Sequence, residues 1–197
     1  MQYLILCLRQ YPAVLLLVCI VLLAQLGGDG LLAHWKLQAG DNRTTWLDLA
    51  LWQLLHANWT HLGLNLIGLA LLLAIRPAGF VGWWWLVPTL GCGWLANLLF
   101  FLINNLEVAG QIHLALGLSG ALHAAAWIQA RRGFAQLQAK ILISLLVAKL
   151  GYEQLVGAMP FSSPIGVVVL VDIHLYAVIG AIWFDTIVRV LTRQQRY

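Results

Sequence analysis

Long apolar stretches, broken by short polar or helix-breaking clusters, run the length of the chain. A membrane-spanning helix needs roughly 20 predominantly apolar residues. On that measure six segments are predicted, at about 4–26, 49–75, 81–103, 113–130, 137–156 and 166–190. The breaks are Gly27-Gly28-Asp29-Gly30, Arg76-Pro77, Asn104-Asn105, Arg131-Arg132-Gly133 and the stretch 159–164 with its two prolines, all residue types that interrupt helices. The expected fold is a single all-α membrane domain over residues 1–197, a bundle of six transmembrane helices.

Composition strengthens the membrane reading. The 197 residues are 62% hydrophobic and 9% charged, against about 25% charged in an ordinary soluble domain. The net charge of +4 does not point to nucleic acid, because the basic residues flank apolar runs instead of forming a stripe among aromatics. With both termini cytoplasmic, the inside takes Arg9, Arg76, Arg131, Arg132, Lys140, Arg189, Arg193 and Arg196, and the outside takes Lys36, Arg43 and Lys149. That imbalance satisfies the positive-inside bias. It leaves 27–48 as an external loop in which Trp35 and Trp46 suit the interface, with Trp83-Trp84-Trp85 as an anchor on the inner side. Arg9 before an apolar run also fits a cleaved signal peptide, but the run from Tyr11 is long and lacks a small-x-small site, so a retained helix is expected. Cys7, Cys19 and Cys92 sit singly in apolar runs and read as small core residues.

Polar groups inside a membrane are costly and usually functional. Here they concentrate in the second, fourth and sixth segments. On a continuous second helix Asn58, His61 and Asn65 share one face at i, i+3, i+7, while His56 lies about 140° away. Such a stripe serves equally as helix–helix glue or as the wall of a hydrated cavity. The fourth segment carries Gly117-Leu118-Ser119-Gly120-Ala121-Leu122-His123. Its glycines admit a close neighbour, and Gly117, Ala121 and Ala125 continue a small-residue row. The sixth carries Asp172 and His174 followed by Ala177 and Ala181, a combination suited to tight packing on the fourth. Serine needs an adjacent base to become a nucleophile, and histidine titrates near working pH. Both His174 and His123, one turn along from Ser119, are candidate bases on spacing. His34 and His113 are expected to have no chemical role, and Asp172 to mark a helix entrance.

Taken together and in this order, His56-x4-His61-x3-Asn65, Gly117-x-Ser119-Gly120 and His174 resemble the rhomboid family of intramembrane serine proteases. The resemblance implies a six-helix fold, Ser119 as nucleophile and His174 as its base in a dyad without an acid. It also implies an oxyanion site from His61, Asn65 and the Ser119 backbone N–H, with His56, Gly117, Gly120 and His123 in support, and no metal or cofactor. Gly117 to His123 is further similar to the Gly-Leu-Ser-Gly-x-Leu-His signature of the rhombosortase branch. That branch implies substrates anchored by a C-terminal Gly-Gly motif, membrane helix and basic tail, cut at the outer face of a bacterial inner membrane. Partners would be membrane-anchored proteins and the bilayer, with no nucleic acid.

Three features depart from the family pattern. Ala177 and Ala181 stand where glycines are common, Trp52-Gln53 stands near a Trp-Arg pair, and His123 stands where many members stack a tyrosine on the catalytic histidine. The rival functions are an inactive rhomboid-like binder of membrane helices, and a metal or haem protein using His56, His61, His123 and His174. The second is disfavoured by i, i+5 spacing and the lack of carboxylate companions. A transporter is disfavoured by the absence of paired broken helices.

Overall fold

The computed structural model describes residues 11–28, 46–76, 82–103, 117–132, 135–160 and 169–194, and all the regular structure among them is helical. In chain order the helices are α1 (Pro12–Leu26), α2 (Trp46–Leu51), a 3-10 turn (Trp52–Leu54), α3 (Trp59–Ala74), α4 (Trp83–Ile103), α5 (Ser119–Arg132), α6 (Gln136–Leu155) and α7 (Val171–Gln194). Residues 4–10 and most of the loop 27–48, with Arg9, His34, Trp35, Lys36 and Arg43, lie outside the described residues, as do Asn104, Asn105 and His113.

Two helical stretches, Trp85–Ile103 and Val171–Leu191, are long and apolar enough to cross a membrane; α1 and α3 are shorter apolar helices. The outward faces carry Leu23, Leu71, Leu102, Leu145 and Trp183, each more than 60% exposed. Apolar side chains stand uncovered on every described helix but the central one, a surface suited to an apolar surrounding medium.

α5 is the central element, packed against α3, α4, α6 and α7. Its sequence explains why: Gly120, Ala121, Ala124, Ala125 and Ala126 are all buried, and such short side chains let four neighbours approach its backbone. Ala177 and Ala181 of α7 are fully buried as well, so alanine is small enough for the contact that the sequence predicted. The one polar residue deep in α5, Gln129, is satisfied when its nitrogen donates to the Leu72 carbonyl (3.3 Å) and its oxygen accepts from the Trp85 indole (3.1 Å). Trp85 is therefore a core residue, 1% exposed, and the reading of Trp83-Trp84-Trp85 as one interfacial anchor fails for it. At the other end of α5, Asp185 gathers Arg189 (2.8 Å), Arg132 (3.2 Å) and Arg131 (3.9 Å), tying α5 to α7.

The bounds of three expected helices are corrected. The segment 49–75 is not continuous: α2 and the 3-10 turn end at Leu54, Asn58 is fully extended (φ −165°, ψ 177°), and α3 begins at Trp59. The cause is local. The Asn58 side chain accepts the His61 N–H at 2.9 Å, a cap that competes with helix continuation. The fourth segment starts at Ser119 instead of 113, because Gly117 takes a left-handed backbone (φ +60°) and Leu118 is in the same turn. The sixth begins at Val171 and runs past 190 to Gln194.

Candidate active site

The site is built where three chain segments meet at the start of α5. The extended stretch before α3 supplies the first support. Leu55 offers its carbonyl to the Gly117 N–H (2.8 Å), and His56 offers Nε2 to the Leu118 N–H (3.4 Å). Both amides precede a helix and have no partner within it, so His56 completes the turn that presents Ser119. The expectation that His56 points about 140° away on a common helix does not hold, since His56 precedes α3. Its ring meets that of His61 edge-on, with centroids 5.1 Å apart.

The next groups surround Gly117. A methyl group there would lie 2.8 Å from His56 Cδ2, 2.9 Å from His61 Nε2 and 3.0 Å from Asn65 Nδ2. Only glycine fits, on space and on backbone conformation alike. The hydrogen bonds assign the donors facing this notch. His61 Nδ1 accepts from the Ala57 N–H (3.4 Å), so the proton of the neutral ring sits on Nε2. Asn65 gives one amide hydrogen to the His61 carbonyl (3.1 Å) and keeps a second. Ser119 stands two residues away as the first residue of α5.

The third set joins α5 to α6 and α7. His123 donates Nδ1–H to the Ser119 carbonyl (2.6 Å), since a carbonyl only accepts. Its ring stacks on His174, centroids 4.1 Å apart and planes 14° from parallel. Gly120 makes room for Ile173, whose Cγ2 would be 3.0 Å from an added methyl. Thus His174, 4% exposed, lies against the turn that begins with Ser119. Asp172 is in the first turn of α7, where the sequence placed it.

The sequence reading missed a residue. His174 Nδ1 lies 2.9 Å from Glu153 Oε2, and Glu153 Oε1 accepts from Lys149 Nζ at 2.6 Å. Glu153 is 3% exposed, and a carboxylate so buried needs such partners. The expectations of a histidine without an acid, and of histidines without carboxylate companions, are both corrected here. Lys149, read as an external charge, lies in α6 with its ammonium 3.5 Å from His174 Nδ1. Two charges four residues apart in an apolar helix were the available signal.

The four histidines of the metal reading separate into two pairs, His56 with His61 and His123 with His174. Among the described residues only the second has a carboxylate: one donor atom each from His123, Glu153 and His174 lie within 4.8 Å of one another. Lys149 already occupies one oxygen of that carboxylate, a cation where a metal would need to enter.

No family model, curated protein or solved structure matches the chain, so the motif resemblance and the geometry carry the functional reading between them.

Proposed function

We propose that this protein is a rhomboid-type intramembrane serine protease. In this reading six helices span the membrane with both termini cytoplasmic, and Ser119 attacks the scissile carbonyl while His174 takes its proton. The observation that carries it is the His123 bridge. One ring bonds the Ser119 carbonyl and stacks on His174, which keeps the α7 histidine beside the first turn of α5. Nucleophilic catalysis by a serine needs an imidazole within reach to take its proton, and the bridge supports His174 in that role.

The notch at Gly117 supplies the electrostatic half of the chemistry. The His61 Nε2–H and the second Nδ2 hydrogen of Asn65 flank Gly117, two residues before Ser119, and in this reading they bind the tetrahedral oxyanion together with the Ser119 N–H. Donors fixed in advance in a water-poor site stabilise that charge without reorganising. His174 then returns its proton to the leaving amine, and water hydrolyses the acyl-enzyme. The substrates are membrane-anchored proteins. The rhombosortase-like Gly117–His123 signature supports C-terminal Gly-Gly tails cut at the outer face of a bacterial inner membrane.

Labelling with a fluorophosphonate probe, read by intact mass, tests the reading on the wild type, Ser119→Ala, His174→Ala and His123→Ala. Labelling lost in the first two variants and retained in the third is expected. Labelling that survives His174→Ala but not His123→Ala would move the base to α5. A folded wild type that never labels would favour a rhomboid-like binder of membrane helices.

A further inference from the structure

Within that Ser119–His174 reading, on which the inference rests, we propose that Glu153 is a positioning residue. It holds the imidazole proton of His174 on Nδ1 and so leaves the Nε2 lone pair for the serine. The chain then works with a third, acidic member donated by α6, where the resemblance implies a dyad.

The argument is one of donors and acceptors. An ionised carboxylate only accepts, so at 2.9 Å from Glu153 Oε2 the Nδ1 of His174 must carry the hydrogen. Lys149 makes this assignment consequential. Its ammonium is donor-only and sits 3.5 Å from the same Nδ1. Without the carboxylate, it would donate to Nδ1 and drive the proton to Nε2, where the ring cannot act as a base. Glu153 accepts from both groups at once, Oε1 from Lys149 (2.6 Å) and Oε2 from His174. It thereby separates the two and offsets the charge of the lysine. Asp172 is the nearest acidic residue in sequence, yet the carboxylate on the ring comes from 21 residues away.

Glu153→Gln turns this geometry into a test. The lysine needs an acceptor, so the amide oxygen faces Lys149 and the NH₂ faces Nδ1, forcing the proton to Nε2. Removing the lysine frees the amide to rotate and present its oxygen to Nδ1–H. Full-length protein in lipid nanodiscs is compared as wild type, Glu153→Gln, Lys149→Met and the double variant.

The first readout is ¹⁵N NMR of labelled histidine, with the His174 signal identified by its loss in His174→Gln. The second is fluorophosphonate kinetics resolved into probe affinity and maximal labelling rate. We expect Nδ1–H in the wild type and Nε2–H in Glu153→Gln. The labelling rate of Glu153→Gln should fall about 10³- to 10⁴-fold at similar affinity, the scale of a wrong tautomer in a serine–histidine–acid system. The double variant should recover at least about tenfold over Glu153→Gln, the equivalent of about 1.4 kcal/mol.

A wild-type His174 protonated at Nε2, or the same tautomer in wild type and Glu153→Gln, overturns the inference. So does a double variant no faster than Glu153→Gln, which is the pattern of a merely structural ion pair. The expected tautomers in a protein whose Ser119 never labels would sustain Glu153's role and overturn the nucleophile reading instead.

Discussion

The rings of His123 and His174 lie 4.1 Å apart and within 14° of parallel, joining the helix that begins with Ser119 to the helix that carries its proposed base. Stacked aromatic pairs contribute about 0.5–1.5 kcal/mol beyond burial. His123→Phe should therefore keep the labelling rate within about threefold, whereas His123→Ala should lose about 3- to 10-fold. Equal loss in both variants would assign the effect to the Ser119 carbonyl bond and not to the stack.

Filling the notch at Gly117 should be far more damaging. Gly117→Ala places a methyl within 3.0 Å of three side chains at φ +60°, so activity should disappear together with some stability. His61→Ala and Asn65→Ala should each lower the cleavage rate by about 10²–10³ while leaving a folded protein. Wild-type rates in both would remove these donors from the mechanism.

Asn58 was open to a reading as a wall of a hydrated cavity. Its side chain instead caps α3 through the His61 N–H. Asn58→Ala should cost about 1 kcal/mol of stability, with Asn58→Asp or Asn58→Ser close to neutral. Thermal melts in detergent check the order. A rate loss in Asn58→Asp without a stability loss would restore the hydration role.

At the far end of α5, Asp185 is the shared partner of Arg131, Arg132 and Arg189. Asp185→Ala should destabilise the protein by about 1.5–3 kcal/mol, the range for hydrogen bonds to charged groups. Labelling of the folded fraction should stay near wild type. Full activity with an unchanged melting temperature would show that the cluster is solvated and weak.

What was legible in the sequence divides along physical lines. Apolar runs bounded by Gly, Pro and Asn gave α4 and α6 nearly to the residue, because length and hydrophobicity alone define such helices. The helix breaks at Asn58 and Gly117 were not legible as breaks. Each depends on one side-chain cap or one left-handed backbone, and periodicity cannot register either. Motif order suggested grouping Ser119, His174, His61 and Asn65; the structure places His61 and Asn65 around Gly117 and links Ser119 to His174 through His123. Glu153 was not legible because its partner His174 is on another helix, 21 residues away.

The stretch Leu55-His56 has one more consequence. It satisfies the amides of Gly117 and Leu118 across a sequence separation of 62 residues. If the turn lies within a membrane, as proposed, no water can stand in for it. A peptide covering α5 alone would hold the serine but not the bend that exposes it. The geometry of the turn before Ser119 is therefore a product of chain topology, held by the extended segment that precedes α3.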